Sequence, residues 1–373
     1  GGSGSGGGSL IGGLLYLIVF LIITSILWYK RRKKIEAAKA VIEAAAIADD
    51  VWQADLIKKH VRDTFLRFQQ DWSNFNTDSM RSYLSDSYFR RMVLELNVLQ
   101  DEGRRNLMEN VSCSGVAILE ATDHQDDSND KFVAEVKGTA KDSLLDERNN
   151  KMLYMDTSSF TEYWTFIRSG DDWKLDLIRQ QTENKALGEK KIEEFALRNG
   201  FFYDPDFGWL MMPNKGVIFK KSNFKISDIN NHVIGYFRDK IVEFFTYIPG
   251  SSNNNSYSAN YIVAQTVIPK SYNNILVRRK RMLFNFGPWG LRRIRTESNE
   301  FDNKFCLWAD RQDQISSFEL LTPNFMERIY DLPFELNIEV VGNFLYFYAK
   351  SRKDVDYDKM LEILSWAFDE MER

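Results

Sequence analysis

Histidine and cysteine are scarce. The 373 residues hold three histidines, His60, His124 and His232, and two cysteines, Cys113 and Cys306. No Cys/His cluster has zinc spacing. Two distant cysteines in strand-like contexts argue against a disulfide framework and suit a reducing compartment. Also lacking are a phosphate-binding P-loop, a dinucleotide fingerprint after a strand, an HExxH helix and a nucleophile elbow. Carboxylates are plentiful, but nothing selects a pair. The acidic stretch Asp123–Asp130 lacks the spacing, sharp-turn glycine and terminal Glu of a calcium loop, and reads as a solvated hairpin tip. No catalytic, cofactor-binding or metal-ligating residue is therefore assigned; the chain is expected not to be an enzyme and to need no cofactor. A net charge of −4 predicts no global attraction to nucleic acid.

Charge is also missing locally. Nothing before Lys30 is charged, and Leu10–Tyr29 is a run of twenty uncharged residues. Leu14, Leu15, Leu17, Ile18, Val19 and Phe20 supply its first bulk; Leu21, Ile22 and Ile23 continue it. At ~1.5 Å per residue such a run spans a hydrocarbon core of ~30 Å. Trp28 and Tyr29 stand at its exit, where amphipathic rings favour the interface. Lys30, Arg31, Arg32, Lys33 and Lys34 follow at once. The positive-inside rule then places the remaining chain in the cytoplasm. A signal peptide fits less well, because the run is long and its positive cluster comes after it. Residues 1–9 are a Gly/Ser-rich flexible terminus. With that orientation, the sequons at Asn110 and Asn254 are chance matches.

From Ile35 to about Gln70 the chain has neither Gly nor Pro and reads as one long helix or two in series. Ile57, Val61, Phe65, Phe68 and Trp72 recur at three- and four-residue steps, an apolar stripe for core packing. The part around Ala44, Ala45 and Ala46 is weakly amphipathic and reads as a stalk or an interfacial segment. Thr77 is a candidate N-cap, and a further helix starts at Ser85 or Asp86. From about Asn110 to Gln181 the period becomes two, as in Phe132, Ala134, Val136 and Gly138, which predicts four antiparallel strands. A charged helix over 186–199, stopped by Gly200, leads to a second domain. There, strands are expected near 241–248, 259–268 and 305–309, around a polar loop, PGSSNNNSYS. Thr322-Pro323 opens a helix. LNIEVVGNFLYFYAK reads as a hairpin about Gly342-Asn343. The last helix, Asp356–Glu372, buries Met360, Ile363, Leu364, Ala367 and Phe368.

One basic stretch stands out. Arg278–Arg295 carries seven basic residues, Arg278, Arg279, Lys280, Arg281, Arg292, Arg293 and Arg295, and no acid. Trp289 lies among them, in a GPWG turn. Cations attract phosphates, and aromatic rings stack on bases or enter a bilayer interface. A set of solvated flanks is the bland reading. The tether to a membrane favours anionic phospholipid over nucleic acid.

FTEYWTFIRSGDDWKLDLI, Phe160–Ile178, alternates along its first strand: Phe160, Glu162, Trp164, Phe166 and Arg168 share one face. Trp173 and Leu175 return on the partner strand. This stretch resembles the last two strands of the Tim-forty-four-like domain family, whose pattern is an aromatic, then E-x-W-T-F-x-R, a turn and W-x-L. Phe65–Met92 resembles the family's helical opening, and the resemblance covers about residues 51–182. It implies a cystatin-like cone, a bent antiparallel sheet around helices with an apolar pocket. It further implies membrane association and scaffolding rather than catalysis; no catalytic residue carries over. The chain departs from the mitochondrial import-motor member by its own membrane segment and further domain. The stretch Glu297–Ile329, with its LLTP before a helix, resembles an uncharacterised domain of bacterial membrane proteins.

The expected architecture is α+β: terminus 1–9, transmembrane helix 10–29, basic stop and helical stalk 30–50, cone 51–182, connecting helix 183–200 and a second α+β domain 201–373. The expected role is a single-pass scaffold or tether in a bacterial inner membrane, its bulk cytoplasmic; the mitochondrial inner membrane is the less favoured site. Expected partners are the lipid bilayer, an unidentified protein and anionic phospholipid. Two other classes stay open: a small-molecule or enzymatic pocket in the cone, which an acid facing a tyrosine there would favour, and RNA or ribosome contact through the basic stretch.

Overall fold

Two apolar stripes decide how the first unit packs. The computed structural model describes residues 7–181, 189–206, 216–219, 228–249, 260–280, 287–310, 321–353 and 355–372; side chains of 7–16 and Asn273 are outside the description. Helix α1, Gly7–Ala45, runs unbroken through the apolar segment and the basic cluster. On its C-terminal part Ala38, Ile42 and Ala45 are buried, in line with half-buried Arg31 and Ile35. This part lies against strand β1, Arg104–Thr122. The stretch expected as a stalk is thus packed, because small alanines let a helix approach a sheet. After α1, Asp49 caps the turn Asp50–Trp52, accepting from the Val51 amide at 3.0 Å. Helix α2, Ala54–Ser73, buries all five residues of its predicted stripe. Helix α3, Thr77–Met80, takes its cap from Asn76, one residue before the expected Thr77. Helix α4, Asp86–Asp101, follows.

Five strands form one antiparallel sheet, one more than expected: β1, β2 (Lys131–Asp146), β3 (Lys151–Asp156), β4 (Phe160–Ser169) and β5 (Asp172–Gln180). The extra strand follows from the length of β2, whose first half pairs with β4 and whose second half pairs with β3. Strand alternation separates the faces. Phe132, Ala134, Val136 and Trp164, Phe166 point towards α2, where Phe65 and Phe68 meet Trp164 at ring distances of 5.5 and 5.7 Å. Glu135 points the other way, towards α1. The space inside is closely filled: a Cβ on Gly138 would come within 3 Å of both Phe160 and Phe65.

Phe160–Ile178 is the hairpin of β4 and β5, turning at Gly170 with φ +62°. Phe132 stacks on Phe166 and meets Trp173 edge-on, each at under 5 Å, and Trp173 meets Trp52 at 4.9 Å. Arg168 is 6% exposed. Its guanidinium donates to Asp49 at 2.9 Å, donates to the Gly170 carbonyl and lies over the Trp173 ring. The outer edge of β5 is closed by residues 83–85, which exchange backbone hydrogen bonds with Leu175 at 2.9 Å.

The chain divides into two compact units, 1–96 with 103–182, and 97–102 with 183–373. In the second unit, helix α5, Lys190–Asn199, ends on Gly200 in the left-handed region. Seven strands form an antiparallel sheet: β6 (Phe202–Asp206), β7 (Ile229–Phe237), β8 (Lys240–Tyr247), β9 (Tyr261–Arg279), β10 (Arg292–Ile294), β11 (Phe305–Ala309) and β12 (Leu336–Lys350). Helices α6 (Asn299–Lys304), α7 (Pro323–Tyr330) and α8 (Tyr357–Met371) complete it. Thr322 caps α7 through the Phe325 amide, with Pro323 at the first turn. The five residues expected inside the last helix are buried in a core with Phe195, Phe244, Phe325 and Phe347. The expected hairpin at Gly342 is corrected. β12 is one strand that pairs with β9 along its length, and Gly342, φ +64°, sits at a register shift. A bulge and a tight turn both need a left-handed residue, so Gly-Asn did not distinguish them. The polar loop PGSSNNNSYS lies largely outside the described residues.

The clamp at Arg168 makes a clear expectation. Arg168→Ala leaves the part-exposed Asp49 without its charged hydrogen-bond partner and should lower stability by about 2 kcal/mol in urea unfolding. Arg168→Lys keeps the charge, loses the planar fork and should recover less than half of that loss. Unfolding midpoints within error of the parent for both variants would remove the clamp from the account.

Candidate functional site

Inward-facing positions of β2, β4 and β5 bring polar groups into the first unit. Parity carries Phe132, Ala134, Val136, Gly138 and Ala140 on to Asp142. Its carboxylate accepts from Asn106 Nδ2 at 2.6 Å, and Asn106 Oδ1 accepts from Trp72 Nε1 of α2 at 2.8 Å. Glu162 lies on the facing strand. It accepts from Trp164 Nε1 at 2.9 Å and from Gln180 Nε2 at 2.5 Å. Burial raises the Glu162 pKa against these two hydrogen bonds. Burial also pushes Asp142 up to about 7, opposed by the Asn106 hydrogen bond and aided by the negative charges of Asp156 and Glu162. Tyr88 of α4 is fully enclosed; burial raises its pKa, and Glu162 is among the charges that act on it. Burial thus raises the pKa of both carboxyl groups and of the Tyr88 phenol.

The outward face carries the link to α1. Arg31 grips Glu135 through Nη2 and Nε, at 2.8 and 3.1 Å, and Lys34 reaches Glu120 at 2.6 Å. The Glu135 pair raises the Arg31 pKa. Arg32 pairs with Glu36 one turn on and lies over Trp28 at 5.5 Å. Lys30 and Lys33 are exposed. Above them, Leu17, Ile18, Val19, Phe20, Leu21, Ile22, Ile23, Trp28 and Tyr29 are 44–64% exposed, so no face of this segment is sheltered. Among the described residues no helix is long and apolar enough to cross a membrane. The expected span starts at Leu10, and its first part, with Leu14 and Leu15, lies outside the residues whose side chains are described.

The cone signature is structural in its geometry. Phe160, Trp164, Phe166 and Trp173 pack as rings, and Leu175 is buried at the strand edge. The basic stretch splits. Arg279 donates to the Leu332 and Phe334 carbonyls at 3.4 and 3.3 Å, and Arg278 is half-buried. Lys280 is half-buried, and Arg281 lies outside the described residues. Trp289, Arg292, Arg293 and Arg295 are exposed.

Sequence reasoning passed over Asp142, Asn106, Gln180 and Tyr88. It also passed over a row in the second unit: His232 Nε2 and Glu243 Oε2 are 3.0 Å apart, and Gln265 Nε2 donates to Glu243 at 3.1 Å, all three buried. A signal existed for Asp142, an acid on the inward parity of a strand. His232, Glu243 and Gln265 come together only through pairing of β7, β8 and β9. Among the described residues no group of side chains could hold a metal ion.

Comparison with known proteins adds the following. A family described as "Protein of unknown function (DUF3137)" matches residues 255–362, well under half of the chain. An uncharacterised domain is thus present in the C-terminal region, as the LLTP stretch suggested. No match to the Tim-forty-four-like family accompanies it. No curated protein matches. Among solved structures, the mycobacterial trehalose monomycolate transport factor A, TtfA, is 13% identical, with 50% of this chain and 96% of that chain covered and a TM-score of 0.37. The intermembrane space region of the chloroplast protein ARC6 is 13% identical, covering 32% and 95%, with a TM-score of 0.24. At such scores neither likeness carries an argument.

The buried acids predict a pH dependence. Asp142 binds its proton more tightly folded than unfolded, so stability falls as pH rises from about 4 towards its folded value of about 7. Asp142→Asn keeps an acceptor for Asn106 and cannot ionise. The variant should match the parent below about pH 4 and melt at a higher temperature at pH 8. A parent whose melting temperature exceeds that of the variant at pH 8 would contradict the assignment.

Proposed function

We propose that this chain is a membrane-anchored, non-enzymatic tether that docks a protein partner or lipid at the cytoplasmic face of a bacterial inner membrane. The observation that carries this reading is helix α1. One continuous helix is apolar and exposed over 17–29, then ion-paired and packed against a sheet by one stripe, Ala38, Ile42 and Ala45, over 31–45. A helix apolar all round is stable when protein or lipid surrounds it. Together with residues 10–16, the segment has the length of a hydrocarbon core. The basic residues at its exit then do two tasks. Lys30, Arg32 and Lys33 suit the headgroup region, while Arg31 and Lys34 hold the first unit against the anchor.

A non-catalytic interior fits the same reading. Asp142 and Glu162 direct their acceptors to Asn106, Trp164 and Gln180, and aromatic rings of α2 fill the space beside them. The resemblance of residues 51–182 to the Tim-forty-four-like domains supports scaffolding in a cystatin-like cone. A pocket for a small molecule is the alternative, for which a buried acid, Glu162, and a buried tyrosine, Tyr88, are present in the same unit.

Alkaline carbonate washing tests the anchor. The full chain should stay with the membrane, and Leu21→Arg with Ile22→Arg should release it. Protease should reach both units in inverted vesicles and neither in spheroplasts. Extraction of the parent chain by carbonate would overturn the anchor, and cleavage from the outer face alone would overturn the orientation.

A further inference from the structure

We infer that the turn at Trp289, with Arg292, Arg293 and Arg295, is a second membrane-contact site that binds the headgroups of an anionic bilayer. The inference goes beyond the tether reading, because it concerns the second unit and would stand without the α1 anchor.

Trp289 is 103% exposed, the most exposed large apolar side chain among the described residues. Its exposure is imposed by the residues on either side. Before it, Gly287 lies so close to Trp308 that a Cβ would fall 2.2 Å from the ring. After it, Gly290 turns at φ +89° and Leu291 packs on the cluster of Leu276, Cys306 and Trp308. The Leu291 amide closes the turn on the Pro288 carbonyl at 3.2 Å. β10 then pairs with β11 and buries Ile294, which leaves Arg292, Arg293 and Arg295 in solvent. None of the three makes an ion pair among the described residues, and the first acid after them is Glu297.

The chemistry of this tip points to a bilayer rather than to a nucleic acid. An indole with an apolar body and one N–H donor is suited to the headgroup level. Guanidinium forks bind phosphate with two parallel hydrogen bonds. Single-stranded nucleic acid is held by successive stacking platforms along a basic groove, and one ring at a turn offers a single platform. Arg279 is engaged by backbone carbonyls and Arg278 and Lys280 are half-buried, so among the described residues the fully exposed cations of the basic stretch lie at this tip.

Hydroxyl-radical footprinting of the full chain reads the indole directly. The chain is mixed with vesicles of phosphatidylcholine alone, or of phosphatidylcholine with phosphatidylglycerol, and oxidation of Trp289 is followed by mass spectrometry. Three arginines near an anionic surface shift the bound-to-free ratio on the order of a hundredfold. Trp289 should therefore be oxidised fast on neutral vesicles and at least several-fold more slowly on anionic ones. Arg292→Glu, Arg293→Glu and Arg295→Glu together should abolish this protection, as should high salt. Equal oxidation on both vesicles, with the chain floating in both, overturns the inference and leaves the anchor intact. Flotation with anionic vesicles alone, lost in the triple variant, supports the inference and removes the anchor; flotation with neither overturns both. Protection by a single-stranded RNA on neutral vesicles, without protection by anionic lipid, reassigns the tip to nucleic acid.

Discussion

The geometry of the first unit depends on the contact between Arg168 and Asp49. A buried guanidinium must be answered by charge or by hydrogen-bond acceptors, since its desolvation is costly. Asp49 supplies the charge, the Gly170 carbonyl an acceptor and Trp173 a ring face. Asp49 also caps the turn after α1. One side chain therefore ties the exit of α1, the entry to α2 and the tip of the β4–β5 hairpin. With that junction held, α1 runs along the outer face of the sheet, and Arg31 and Lys34 arrive opposite Glu135 and Glu120.

The same sheet is packed on both faces, which shapes its composition. Inward positions meet the rings of α2; outward ones meet α1 or solvent. Polar groups that fall inward are answered within the unit, as with Asn106 between Trp72 and Asp142, and Glu162 between Trp164 and Gln180. Such a network favours one arrangement of strands, because a slip of one residue would leave each member without its partner.

Periodic signals were legible and pairing signals were not. The stripe Ile57, Val61, Phe65, Phe68, Trp72 is a local property of one helix, and it is buried as its spacing implied. The hairpin at Phe160–Ile178 was legible for the same reason. Gly342 shows the limit: its conformation could be read, but whether the strand turned or bulged depended on β9. Glu162 entered as part of a strand pattern; its place opposite Val136 and its bond from Gln180 required β2, β4 and β5 to pair in one register. The burial of Ala38, Ile42 and Ala45 was not read from the sequence, because alanine is apolar enough for a core and mild enough for a stalk. Only the presence of β1 decided between them.

The amino-acid sequence by itself determined the uncharged run and the basic cluster after it, the alternation of helical and strand periods, the caps of the later helices and the missing catalytic motifs. These depend on residues close together in the chain. Tertiary structure decided which charges are spent. It paired Arg31 with Glu135, buried Arg168 on Asp49, directed Arg279 to backbone carbonyls, and left Trp289 with Arg292, Arg293 and Arg295 in solvent. The physical reason is that a charge acts through its neighbours and its exposure, and both are set by strands and helices far apart in sequence.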